Sequence, residues 1–207
     1  MPKTSTPSTE VMTDGQIGKL QELLGAALRK RRKQLLSEAV QGVLGQEGDA
    51  LQADFLAALR KRVENRSTTI SRQVSVNRNR TPQEVLDATK RAQYTDKSVV
   101  ATMLSGGAGI QESVEVVFFK LGRYISNADL EREYEERGLK PDPYAQAAVN
   151  EADPAFADEH PNGTHWKDAN GNQCFVAFGR FGGGRDLHVD RRVLDWGDNW
   201  WFGGVRK

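Results

Sequence analysis

The aromatic residues crowd into one stretch, Thr164 to Lys207, and this constrains the fold more than any other feature. All four tryptophans lie there (Trp166, Trp196, Trp200, Trp201), with Phe175, Phe178, Phe181 and Phe202. Aromatic side chains bury the most area per residue and dominate cores and interfaces. Between Arg185 and Arg192, Leu187 and Val189 alternate with polar neighbours, which is the period of a half-buried strand. Asn170-Gly171 suits a tight turn between His165–Lys167 and Gln173–Phe181. The stretch reads as a meander of strands on which earlier helices pack. Trp200 and Trp201 would face opposite sides of a strand, so one is core and the other is covered or open to a partner.

Val114-Glu115-Val116-Val117-Phe118-Phe119-Lys120-Leu121 is the clearest strand before that stretch. Its apolar residues fall on both parities, so both faces should be covered, as in a central strand. Helix starts are written in local chemistry. Thr13 with Gln16, and Thr81-Pro82 with Glu84, are capping boxes. Ser126 caps a short acidic helix ending at Gly138, Asp142-Pro143 starts another, and Asp153-Pro154 starts a turn holding Phe156.

The first helix carries Ile17, Leu20, Leu24, Ala27 and Leu28 as one stripe, which Leu35, Leu36, Val40 and Val43 continue until Gly42 and Gly45 end it. A second helix, near 49–65, repeats Leu51, Phe55, Leu59 and Val63. The two read as a helical hairpin, or as an arm that packs on a partner copy. Ile70, Arg72, Val74 and Val76 share one face of a strand near 68–76. Ser105-Gly106-Gly107-Ala108-Gly109 is a flexible break. The expected organisation is a disordered tail over 1–12, a helical region over 13–104, and an α+β domain over 110–207.

The single cysteine, Cys174, excludes an internal disulfide and suits a reducing compartment. No run approaches the length of apolar residues that spans a bilayer, and the Pro/Ser/Thr-rich start lacks the apolar segment of a secretory signal. A cytoplasmic protein with no membrane contact is expected. Residues 1–100 hold 17 Lys+Arg against 11 Asp+Glu, and residues 101–207 hold 12 against 17. The basic half invites a polyanion.

Five segments carry a family resemblance: Arg80-Thr81-Pro82-Gln83, Phe118-Phe119-Lys120-Leu121, 150–157 (Asn-Glu-Ala-Asp-Pro-Ala-Phe-Ala), Gly163-Thr164-His165-Trp166-Lys167-Asp168, and 200–207. Together they resemble a family of uncharacterised small proteins from Patescibacteria, over most of the chain past Thr13. The resemblance implies no activity.

Signs of catalysis are sparse. His160, His165, Cys174 and His188 lack the paired close spacings of a zinc site, so no metal is expected. Cys174 reads as a small core residue rather than a nucleophile. Neither glycine-rich segment, Ser105–Gly109 nor Gly182–Arg185, has a P-loop ending or a dinucleotide spacing, so no cofactor is expected. The acidic run Glu131–Glu136 reads as a solvated face.

These observations define an α+β protein: an N-terminal helical region, then a mostly antiparallel sheet of about five strands covered on one side by short helices. The leading expectation is a non-catalytic binding module acting on a protein partner or on itself. Its contacts would come from the helical hairpin or from Trp166, Trp196, Trp200 and Trp201. A second expectation is nucleic-acid binding through Arg29, Arg31, Arg32, Arg60, Arg62, Arg66, Arg72, Arg78 and Arg80. A third is an enzyme using His165, Asp168 and His188, which requires those side chains to converge.

Overall fold

The computed structural model describes residues 11–191 and 195–207. The expected disordered tail falls almost wholly outside them; Val11 and Met12 are exposed coil. The chain forms two compact units, one running to Arg66 and the other Ser67–Lys207.

The first unit is helical: α1 (Asp14–Arg31), a single 3-10 turn (Arg32–Gln34), α2 (Ser37–Gln46) and α3 (Gly48–Glu64). The Thr13 hydroxyl accepts from Gln16 N at 3.3 Å while the Gln16 amide oxygen accepts from Thr13 N at 2.9 Å, which closes the expected capping box. The stripe is not one continuous helix. α1 ends within Arg29–Lys33, where cations face the negative end of the helix dipole. Gly42 and Gly45 lie inside α2 rather than ending it.

The second unit is built from β1 (Thr69–Asn77), α4 (Pro82–Ala88), β2 (Ala92–Thr95), α5 (Lys97–Val100), β3 (Ile110–Lys120), α6 (Asn127–Glu136), β4 (Leu139–Pro141), α7 (Pro143–Ala152), α8 (Phe156–Glu159), β5 (Asn162–Lys167), β6 (Gln173–Gly179), β7 (Asp186–Arg191) and β8 (Trp201–Arg206). Its sheet runs β1-β3-β8-β5-β6-β7-β2, with β4 also on β8. β5, β6 and β7 form a meander as expected, but the Trp200–Phe202 strand does not continue it: β8 leaves β7 and inserts between β3 and β5. The sheet is larger than expected and is mixed: β2 pairs parallel with β7, and β5 parallel with β8. Short β2 and β4 carry too few residues to show an alternation.

One edge of β8 is shared. β5 takes Trp201 and Phe202, and β4 takes Gly204 to Arg206. Between them the Tyr134 hydroxyl donates to Gly203 O at 2.8 Å, so the gap leaves no orphaned carbonyl.

Helices cover both faces, not one. α4, α5, α7 and α8 bury Leu86, Val99, Ala147 and Phe156 against Val116, Phe118, Trp166 and Trp201. On the other face, Leu130 and Tyr134 of α6 and the loop residue Trp196 cover Val117, Phe119 and Phe202. β3 is central as expected, with residues 116–119 buried on alternate sides.

The boundary between units lies at Arg66/Ser67, well before the glycine-rich break. That break is not a linker. Gly109 O accepts from Arg78 N at 2.8 Å, Gly109 N donates to Asn79 Oδ1 at 2.9 Å, and Ser105 O accepts from the Arg78 guanidinium. A Cβ on Gly106, whose φ is +70°, would lie 2.9 Å from Arg78 Nη1. The glycine there lets the backbone approach a buried charge.

Candidate functional site

The nine arginines named for polyanion binding are divided between the units. Arg29, Arg31, Arg32, Arg60, Arg62 and Arg66 are exposed in the helical unit. The other three belong to the sheet unit and make tertiary contacts there. Arg78 is buried in a two-pronged ion pair with Asp142, at 2.7 and 3.2 Å. Arg80 pairs with Glu151 at 2.6 Å. Arg72 lies over the Phe156 ring, 4.7 Å from its centroid. Arg78 is thereby withdrawn from solvent, while Arg72 and Arg80 stay partly exposed with their guanidinium groups held by tertiary partners.

Three of the four tryptophans are core rather than contact residues. Trp166, Trp196 and Trp201 are buried, and the indole N–H groups of Trp166 and Trp196 donate to Thr102 Oγ1 and Asn127 Oδ1, each at 3.1 Å. Trp200 is half-buried against Trp196, with ring centroids 5.3 Å apart.

Trp200 begins a row of rings along the sheet surface. Phe181 follows at 6.0 Å, His188 at 5.0 Å from Phe181, and Tyr94 stacks on His188 at 5.0 Å with planes 17° apart. Tyr94 is 59% and Phe181 39% exposed. Such a row can stack flat groups. Strand parity places His188 opposite Leu187 and Val189, but its stacking partner comes from β2, almost a hundred residues earlier, and no sequence signal joins them.

His165, Asp168 and His188 do not converge. The Asp168 carboxylate organises the β5–β6 turn, accepting from Asn170 N at 2.9 Å and from Asn172 N and Nδ2 at 3.0 Å. His188 belongs to the ring row. The buried His165 packs edge-on against Tyr134, 5.4 Å away, and lines a cleft of about 350 Å³ with Glu131, Leu139, Lys140 and Lys207. No bond among the described residues links the three. Burial works to raise the Glu131 carboxyl, but bonds from Lys167 and Gln173 outweigh it and hold the group below its ordinary value. Burial pushes the Tyr134 phenol upwards.

Burial also lowers the His165 imidazole from 6.5 to about 4; Glu131 opposes this and Lys167 adds to it. Between those two values the unfolded chain binds a proton here and the folded chain does not. Stability should therefore be greatest above about pH 6.5, fall as the pH drops towards 4, and level off below. The full effect is on the order of 3 kcal/mol. A urea titration of the wild type across that window, compared with His165→Gln, measures it; equal pH dependence in the two would show that another group is responsible.

The helical unit leaves many of its apolar side chains exposed. None of the residues of α1, α2 or α3 is buried. Leu23 is 60%, Leu24 45%, Leu28 53%, Leu56 57% and Val63 58% exposed. An amphipathic helix ordinarily buries this face.

The fold and these surfaces define an α+β protein with a self-contained mixed-sheet unit and a helical unit whose apolar face is open. No family model, no curated protein and no solved structure matches the chain. No described helix is long and apolar enough to cross a membrane.

Proposed function

We propose that the protein is a non-catalytic binding module whose contact element is the helical unit of residues 13–66. The observation that carries this reading is the exposed apolar stripe of α1 and α3. Short helices are marginal alone and draw their stability from packing an apolar face. Exposed apolar patches of this kind mark association surfaces. The scatter of His165, Asp168 and His188 counts against an enzyme built on those three side chains and bears on no other chemistry.

The triple variant Leu20→Gln, Leu24→Gln, Leu28→Gln should leave the melting of the sheet unit unchanged to within about 0.5 kcal/mol per substitution, as for surface positions. Tryptophan fluorescence reports it, because every tryptophan lies in that unit. A benzophenone side chain at position 23 of the full chain should give a covalent adduct of discrete mass in native cells, lost in the triple variant. A lowered melting temperature, or no adduct, would count against the reading.

Nucleic-acid binding is the second reading, favoured by the exposure of Arg29, Arg31, Arg32, Arg60, Arg62 and Arg66. It requires affinity for DNA or RNA that falls steeply with salt. Salt-insensitive or absent binding removes it.

A further inference from the structure

We propose that the partner of the helical unit is a second copy of this chain, with α1 packed antiparallel on α1 of that copy. This rests on the binding-module reading and names its occupant. Ile17, Leu20, Leu24 and Ala27 follow the three-four-three spacing of a two-stranded helical seam, and none of them is buried.

Charge chooses both the partner and the direction. α1 is acidic at its start, with Asp14, and basic at its end, with Arg29, Lys30 and Arg31. Lys19, the one cation in the first half, is paired with Glu22 of its own helix at 2.9 Å. A helix with this polarity is complementary to its own reverse. Laid antiparallel with the seam matched to itself, Ile17 comes opposite Ala27 of the other copy and Leu20 opposite its Leu24, and Asp14 lies between the levels of its Lys30 and Arg31. The helix dipoles then also oppose. Laid parallel, the run Arg29–Lys33 would meet its own copy, and like charges held together cost binding energy. α3 repeats the polarity, with Asp49 in its first turn and Lys61 and Arg62 in its last. An interface that maps one surface onto itself closes as a two-fold dimer.

Sedimentation equilibrium of the full chain tests this. The expected mass is twice 23.0 kDa, falling to a single chain in L20D/L24D with the tryptophan fluorescence of the sheet unit unchanged. The charge swap is independent of how well that variant folds. Asp14→Lys and Arg31→Asp should each raise the dissociation constant roughly tenfold, since each breaks two symmetric contacts, and D14K/R31D should restore it. A wild type that stays monomeric up to high micromolar concentration overturns self-pairing, as does a dimer indifferent to L20D/L24D. A double swap that does not restore affinity overturns the antiparallel direction. A monomeric wild type that still gives the position-23 adduct removes self-pairing alone. A monomeric wild type without the adduct removes the binding module as well.

Discussion

Trp196→Ala should destabilise the sheet unit by about 3–5 kcal/mol, the range for truncating a large aromatic in a packed core. The indole is fully buried. It meets Phe175, Trp200 and Phe202 edge-on, at 5.7, 5.3 and 5.3 Å. Its N–H donates to Asn127 Oδ1 at 3.1 Å, and its backbone bridges Ile125 in both directions, at 2.9 and 3.1 Å. This one residue therefore ties the start of α6 to the sheet. Gly163 beneath it is part of the same fit: a Cβ there would lie 2.8 Å from the indole ring. Trp200→Ala, at a half-buried site, should cost clearly less. Chemical denaturation of the two variants gives the comparison. A Trp196 variant that melts like wild type would return this side chain to the list of contact residues.

Arg78→Ala should cost a similar amount, about 3–5 kcal/mol, because it leaves a buried carboxylate without its counter-ion. Both side chains of the pair are nearly inaccessible, at 3% and 4% exposure. The guanidinium also donates to Gln111 Oε1 at 2.8 Å and to Ser105 O, holding the glycine-rich loop against the end of β1. Asp142 in turn caps α7 by accepting from Ala145 N at 2.9 Å. The cost of truncation is not the worth of the pair, since desolvating two charges offsets much of their attraction. R78M/D142N removes both charges and keeps a capping side chain, so it should recover a large part of the loss. If the double variant is as unstable as Arg78→Ala, the hydrogen bonds to the loop matter more than the charge balance.

Arg78 also shows where reading the chain stops. In sequence it is one cation among several between Arg60 and Arg91, and nothing local marks it as buried. Its partner lies sixty-four positions away, across the sheet. Arg91 is similar: it is buried, with its guanidinium on Pro154 O at 2.8 Å. The glycine-rich break misleads for the same reason. Glycine marks flexible linkers and close backbone approaches alike, and only the Arg78–Asp142 pair beside it tells the two apart. The alternation of Ile70, Arg72, Val74 and Val76 was legible because a strand between core and solvent writes its burial at period two. The stripe of α1 was legible too, but a stripe states that a face wants cover and not what covers it.

Local side-chain chemistry was enough to place the punctuation of the chain. The boxes at Thr13–Gln16 and Thr81–Glu84, the caps at Ser126 and Asp142, and the turn at Asn170-Gly171 stand where the residues require them, because each is closed by atoms within a few positions of one another. Which arginines and tryptophans are buried, how β8 divides one edge between β4 and β5, and where the units part were settled by long-range packing. Those outcomes depend on desolvation and on partners brought together from distant parts of the chain, and a side chain's identity does not reveal whether its partner arrives.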